Sequence, residues 1–561
     1  MTSLDNIRKK FISEVNDESG LASYLFGYEK ENPSYEYLTD VIFEGKRSKK
    51  NVAHETVYTS NLACAKSFFS EKLQKMTNDE LEEIFSKIAY YFAFNTYEIS
   101  SDIDVFVTFE TMNNRGRPLS SLELLKNRLI YLSTLFEEAE KEEHKENKNI
   151  MRVEINECWK KIYHLLGKGK HNLLKDDEFL HTHYFIYFYD EEFYPDRHST
   201  EDFYRDFLLE HYFVPEKIVT KELTEKHVFD YINSLKDCIE YWHNISNPDF
   251  STYKKDIREY LKKINYLLLQ PSFLTHFYSH DVRNKALLLM CLKKAKNEQE
   301  IFKFLKDYEK YLFLATFVPP RYNSFVEAII KFNKSLRKDI PSLKSGNLTV
   351  SDVTTKIEKL NKEILTSDET SKAILDHYSR EGFYRSPFIK YFLSEYETSL
   401  MSQSGSGTEK LDRDKVFKEH HYSIEHIYPE QAHDKYWTDR FKHFNQHHKD
   451  SLRNSLGNLL LVSKEKNNKL GNKSFPDKNG RNPYSPASYS NGSYSEHEVS
   501  TNSEWSANQI RDRGIKLAGF LKKRWGIKIG TNRADTIKFL GLQNISFIPP
   551  AKVNSPKHTK E

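Results

Sequence analysis

The sequence predicts a predominantly helical protein with small α+β parts. Three observations carry that reading. Gly (19) and Pro (17) are scarce for 561 residues, which disfavours turn-rich β-sandwiches and propellers. Aromatic residues make up 14% of the chain, enough for aromatic cores between helices. Helical spacing of apolar residues dominates the pattern from residue 150 to residue 400, while runs with strand character are short and few. A single core rarely grows past about 250–300 residues, so several domains are expected.

Residues 1–135 read as an N-terminal domain. Asn78 to Tyr91 is amphipathic, with Leu81, Ile84, Ile88 and Tyr91 at helical spacing. Asp104 to Phe109 (DVFVTF) is rich in Val and Phe and reads as a strand. A polar turn, Asn113 to Pro118, leads into a helix from about Ser120 to Leu135. Ser120 and Glu123 fit a capping box, and Leu122, Leu125, Leu129 and Leu132 form the apolar stripe. The charge run 137–149 reads as a solvated helix end or loop.

Residues 136–400 read as a helical middle domain with no fixed-period repeat. Its segments include Val153–Leu166, Ser199–Leu209, His227–His243, Ile257–Leu269 and Ser324–Leu336. The run Tyr184 to Tyr189 is core in such a setting rather than a base-stacking platform. Residues 401–408 (MSQSGSGT) read as a linker. Residues 409–545 form a last domain, and 546–561 a disordered tail. Within the last domain, Ser485 to Ser503 reads as a long surface loop and Glu504 to Trp525 as a helix.

Composition excludes several classes. No run approaches the roughly 18–20 apolar residues of a membrane span, and the N-terminus lacks an apolar signal core. A soluble, cytoplasmic protein is expected. The four cysteines form no CxxC pair, so neither a zinc-finger framework nor a disulfide scaffold is supported. The net charge of +3 hides an asymmetry. Residues 401–561 hold 27 basic and 17 acidic side chains, a balance of +10 that leaves −7 for residues 1–400. A basic C-terminal third suggests a polyanionic partner.

The densest chemistry lies between His420 and Lys478. Ser423 to Tyr428 alternates as a short strand, carries Glu425-His426 near its end and is stopped by Pro429. Leu456 to Val462 is an apolar strand opened by Gly457-Asn458. Lys464 to Gly471 reads as a short helix stopped by Gly471. This order suits phosphodiester hydrolysis. His426 can take a proton from water near neutral pH. A hard cation, Mg²⁺ or Mn²⁺, would offset transition-state charge, and one carboxylate and one carbonyl, Glu425 and Asn467, could hold it. Asn468 and Asn472 compete with Asn467. Asn458 could orient the imidazole. Lys473 and Lys478 are either phosphate contacts or solvated side chains, and the same choice stands for Arg511 and Arg513. His420-His421 and His447-His448 lack ligand-like spacing for zinc.

The segment resembles a known family. His426-x-x-Pro429, then Gly457-Asn458-Leu459, then Asn467-x-x-Leu470-x-Asn472-x-x-Phe475-x-x-Lys478 looks like the C-terminal nuclease domain of GmrSD-type restriction endonucleases. Trp505, Arg511 and Trp525 fit the closing helix of that domain. The nine-residue step from Asn458 to Asn467 matches a spacing common in HNH nucleases. The resemblance implies a ββα-metal (HNH, His-Me finger) core and a type IV, modification-dependent enzyme of prokaryotic phage defence acting on modified DNA. Phe109-Glu110, Asn113, Arg115-Gly116, Leu119 and Leu124-Leu125-Lys126-Asn127 are similar to the second half of the family's ParB/sulfiredoxin-like GmrS domain. That domain implies NTP binding and control of cleavage. Asn113, Arg115 and Gly116 then read either as a strand-to-helix turn or as a phosphate site at a helix N-terminus.

The family's D-G-Q-Q-R motif is absent from the sequence. The expectation is therefore a chain that starts downstream of it, with a separate chain as one source of the missing half. The rivals are an RNase or toxin-like nuclease and a non-catalytic regulatory subunit. The sequence leaves the oligomeric state open.

Overall fold

The computed structural model describes residues 4–15, 22–25, 34–43, 56–93, 119–139, 150–169, 174–188, 203–269, 280–319, 323–406, 408–416, 421–480, 487–530 and 532–547. The expected strand at Asp104–Phe109, the turn with Asn113, Arg115 and Gly116, and the tail beyond Phe547 lie outside them. Helices dominate, with two small antiparallel sheets among the described residues, each of two strands. The chain divides into two compact units. One comprises Met1–Glu259, Val282–Ala295 and Ile340–Asn347; the other comprises Tyr260–Asp281, Lys296–Asp339 and Leu348–Glu561.

In the first unit, strands β1 (Ser13–Val15) and β2 (Ala22–Tyr24) pair antiparallel. The amphipathic segment from Asn78 is helical, as its period predicts. An α-helix runs from Asn78 to Ser86 and a wider π-turn from Lys87 to Tyr91. Helix α1 (Ser121–Ala139) follows the capping box read from the sequence. Glu123 Oε2 accepts from the Ser120 N–H at 3.0 Å, and the Glu123 N–H donates to Ser120 Oγ at 3.3 Å. Its leucines, Leu122, Leu125, Leu129 and Leu132, are fully buried. They pack with helices α2 (Ile150–Gly167), α3 (Asp176–Tyr187) and α4 (Glu225–Ser246). Trp159 Nε1 on α2 donates to the Leu122 carbonyl at 3.2 Å. Tyr184, Phe185 and Ile186 are buried in this core, where Tyr184 meets Phe203 and Phe207 edge to face. Tyr184 to Ile186 are packing, as expected, while Tyr189 lies outside the described residues.

The second unit carries the candidate site. Helices α5 (Glu298–Phe317) and α6 (Val350–Thr366) pack extensively. Helices α7 (Asp368–Glu381) and α8 (Ile389–Ser404) follow. Met401 to Ser404, read above as linker, form the last turn of α8, which Gly405 ends at φ +68°. Strand β3 (Tyr422–His426) pairs antiparallel with β4 (Leu459–Ser463), with His426 opposite Leu459 and Tyr422 opposite Ser463. Helices α9 (Lys435–Phe441) and α10 (Gln446–Asn454) fill the connection between the two strands. Helix α11 (Lys464–Leu470) leaves β4 directly and stops at Gly471, φ +48°. The strand–strand–helix order is therefore as read.

The supposed surface loop at 485–503 is a correction. Tyr489 is wholly buried, and Tyr494–Ser500 is helix α12. Its capping box, Ser493 with Glu496, is visible in the sequence but sits among Ser, Tyr and Asn. Glu397 of α8 fixes this helix start, accepting from the N–H groups of Tyr494 and Ser495 at 2.7 Å each. Helix α13 (Ala507–Trp525) closes the unit with Trp505, Leu517 and Trp525 buried. No helix among the described residues is long and apolar enough to cross a membrane.

Candidate active site

The site is built where β3 ends and β4 begins. Gly457 lets α13 lie flush against this corner: a Cβ there would stand 1.8 Å from the Ile510 carbonyl oxygen. Arg513 of α13 donates from Nη1 to the carbonyls of Gly457 and Leu459, 2.8 Å each. Arg513 is thus a buried brace rather than a phosphate contact.

Asn458 is fully buried, and its amide is saturated. Its Oδ1 accepts from the Tyr428 N–H at 2.7 Å and from Trp505 Nε1 at 3.2 Å. Its Nδ2 donates to the carbonyls of Tyr428 and Arg453, 3.0 Å each. Asn458 was expected to orient the imidazole. Its side chain instead ties down the backbone beyond His426, because all its donors and acceptors are spent on that loop and Trp505.

His426 is 8% exposed. Its Nδ1 lies 3.9 Å from Glu430 Oε1, its side chain is hydrogen-bonded to the Asn454 side chain, and its ring meets the Tyr384 ring at 4.1 Å between centroids. Its Nε2 is buried without a hydrogen-bond partner among the described residues. Burial, reinforced by the Lys478 charge, lowers its pKa to about 4, against the opposing Asn454 hydrogen bond. The imidazole is therefore neutral at physiological pH, the form a general base needs.

Glu425 points away from His426, since adjacent strand residues face opposite sides. Its Oε1 accepts from Lys478 Nζ at 2.6 Å and from the Tyr489 hydroxyl at 3.0 Å. Lys478 is fully buried. It also donates to the carbonyls of His426 and Ile427, at 3.1 and 3.3 Å. Burial raises the Glu425 pKa and lowers that of Lys478, and each partner's charge opposes the shift of the other. Lys478, read above as a candidate phosphate contact, is a correction: no solvent reaches it, and its ammonium is spent on Glu425 and the strand end. Asn467 uses its Nδ2 on Ser423 Oγ at 2.8 Å and on the Ile424 carbonyl at 3.3 Å.

These groups do not suit the divalent cation assigned to them. The one carboxylate is already matched by a buried ammonium, and a lone neutral amide carbonyl is a poor Mg²⁺ site. No group of three or more His, Cys, Asp or Glu poised for a metal occurs among the described residues. Lys473 is exposed. Arg511 forms a fork to Asp512, with Nε at 2.8 Å and Nη2 at 3.1 Å.

Sequence reasoning missed Asn454, Tyr384 and Tyr489. Asn454 ends α10, four residues before Asn458. Tyr384 and Tyr489 come from distant segments and carry no local signal.

Residues 368–520 match the family model of the GmrSD restriction endonucleases, C-terminal domain. The match covers both strands, α11 and most of α13. Over this segment the chain is similar to the C-terminal domain of the GmrSD restriction endonucleases, a likeness that supports a nuclease reading of the domain. No curated protein matches.

Proposed function

We propose that the chain is a DNA endonuclease of prokaryotic anti-phage defence in which His426 is the general base. The observation that carries this reading is the neutral, hydrogen-bonded imidazole at the end of β3, inside the segment matched by the nuclease family. His426 accepts a proton from water, the resulting hydroxide forms a bond to phosphorus, and the bond to the leaving 3′-oxygen breaks, that oxygen taking a proton from solvent. Asn454 holds the ring, while Asn458 and Lys478 hold the backbone that presents it. The family resemblance supports modified DNA as the preferred substrate, a divalent cation as cofactor and an HNH type of core. Glu425 is not assigned to the cation here, because its charge is matched by Lys478. Exposed basic groups such as Lys473 would hold the backbone without reading sequence. Control by nucleotide through Asn113, Arg115 and Gly116 rests on the resemblance alone. Cleavage of modified and unmodified phage DNA, and of RNA, by wild type and His426→Ala tests the reading. RNA as the sole polymer cleaved, or equal activity of the two proteins, would overturn it.

A further inference from the structure

A general base must reach a water, yet His426 Nε2 is buried and unpartnered. The ring packed against the imidazole, 4.1 Å between centroids, belongs to Tyr384, on the short turn between α7 and α8. That turn is pinned to the same residue that bonds the imidazole. The Phe383 N–H donates to the Asn454 carbonyl at 2.9 Å. Gly382 sits at φ +68°, where a Cβ would come 2.7 Å from Asn454 Cβ, so glycine suits both the conformation and the approach. Tyr384 itself is only partly buried, and Arg385 beside it is exposed. A partly exposed ring on a glycine-started turn can swing without opening the core, whereas His426 sits on a paired strand.

We propose that Tyr384 is a displaceable cap on His426: its ring shields the imidazole in the free protein, and a DNA strand entering the site takes the place of that ring and exposes Nε2 to the attacking water. The cap rests on the reading of His426 as the base, but its physical part, the shielding, stands apart from catalysis. Asn454 couples the two, since it anchors the turn through its backbone and the imidazole through its side chain.

Carbethoxylation of the full-length protein by diethylpyrocarbonate, quantified at His426 by peptide mass spectrometry, measures the shielding directly. A capped state that opens only a minor fraction of the time predicts that Tyr384→Ala raises the rate at His426 by about tenfold or more. Tyr384→Phe keeps the ring and stays at the wild-type rate. Tyr384→Ala is also expected to raise kcat/KM for DNA cleavage. Equal modification of wild type and Tyr384→Ala would overturn the cap. Faster modification together with a lowered kcat at unchanged KM would make Tyr384 a positioning residue and also overturn it. If neither protein cleaves DNA, the nuclease reading fails, while the modification rates still decide whether the cap exists.

Discussion

Lys478→Met separates the two roles open to this lysine. In the structure Lys478 Nζ serves Glu425, the His426 carbonyl and the Ile427 carbonyl, and no solvent reaches it. Removing one partner of a buried ion pair leaves an uncompensated charge and costs about 3–5 kcal/mol. Glu425 keeps only the Tyr489 hydroxyl among these contacts, so a loss of about 4 kcal/mol is expected. The double variant Glu425→Gln/Lys478→Met removes both charges and should recover much of that loss, giving a coupling energy of roughly 2–3 kcal/mol. Urea unfolding followed by tryptophan fluorescence reads this out, because Trp437 and Trp505 are buried in the same unit. Cleavage should fall as well, since Lys478 positions the strand end that presents His426. A variant within about 1 kcal/mol of wild type, with weaker DNA binding and a salt slope reduced by about 1, would show a phosphate contact and refute the reasoning.

The remaining expectations concern charge and the buried amide. The His426 pKa is lowered from 6.5 to about 4 in the folded protein, so its stabilising contribution is complete above pH 6.5 and is lost as pH falls toward 4. The swing is of order 3 kcal/mol, and it should be missing from the pH dependence of His426→Gln unfolding. With Glu430, Lys478 and Arg453 as its charged surroundings, the base also stays neutral through pH 5, so kcat/KM should hold from pH 7 to about pH 5. Asn458→Ala strips partners from the Tyr428 N–H and from Trp505 Nε1 at a buried site. A loss of about 3 kcal/mol is expected in the same urea assay. Lys473→Ala should weaken binding to any DNA sequence alike and lower the salt slope by about 1. Arg511→Ala should do less, because its guanidinium is already paired with Asp512.

Much of the architecture was legible because local signals agreed with packing. The Ser120–Glu123 box, the leucine stripe of α1, and the stops at Pro429 and Gly471 are each set within a few residues. The order of β3, β4 and α11 follows from them. What the sequence hid depends on contacts across the fold. Lys478 looks like any surface lysine until Glu425 and Tyr489 close over it. Tyr489 lies in a Ser/Tyr/Asn-rich stretch that suggests a loop, yet Glu397 caps the helix that begins five residues later. Asn458 was picked out as important, but its partners are backbone groups and an indole rather than the imidazole. Met401 to Ser404 extend α8 because nothing before Gly405 interrupts its hydrogen bonding, despite a linker-like composition.

The central claim is that the imidazole at the end of β3 carries the chemistry. It is tested most directly by the rate of DNA cleavage, on modified and unmodified phage DNA, by wild type and by His426→Ala under identical conditions. The account predicts cleavage by wild type, greater on modified DNA, and a loss of at least about 10²-fold in the variant. Equal rates for the two proteins would contradict it.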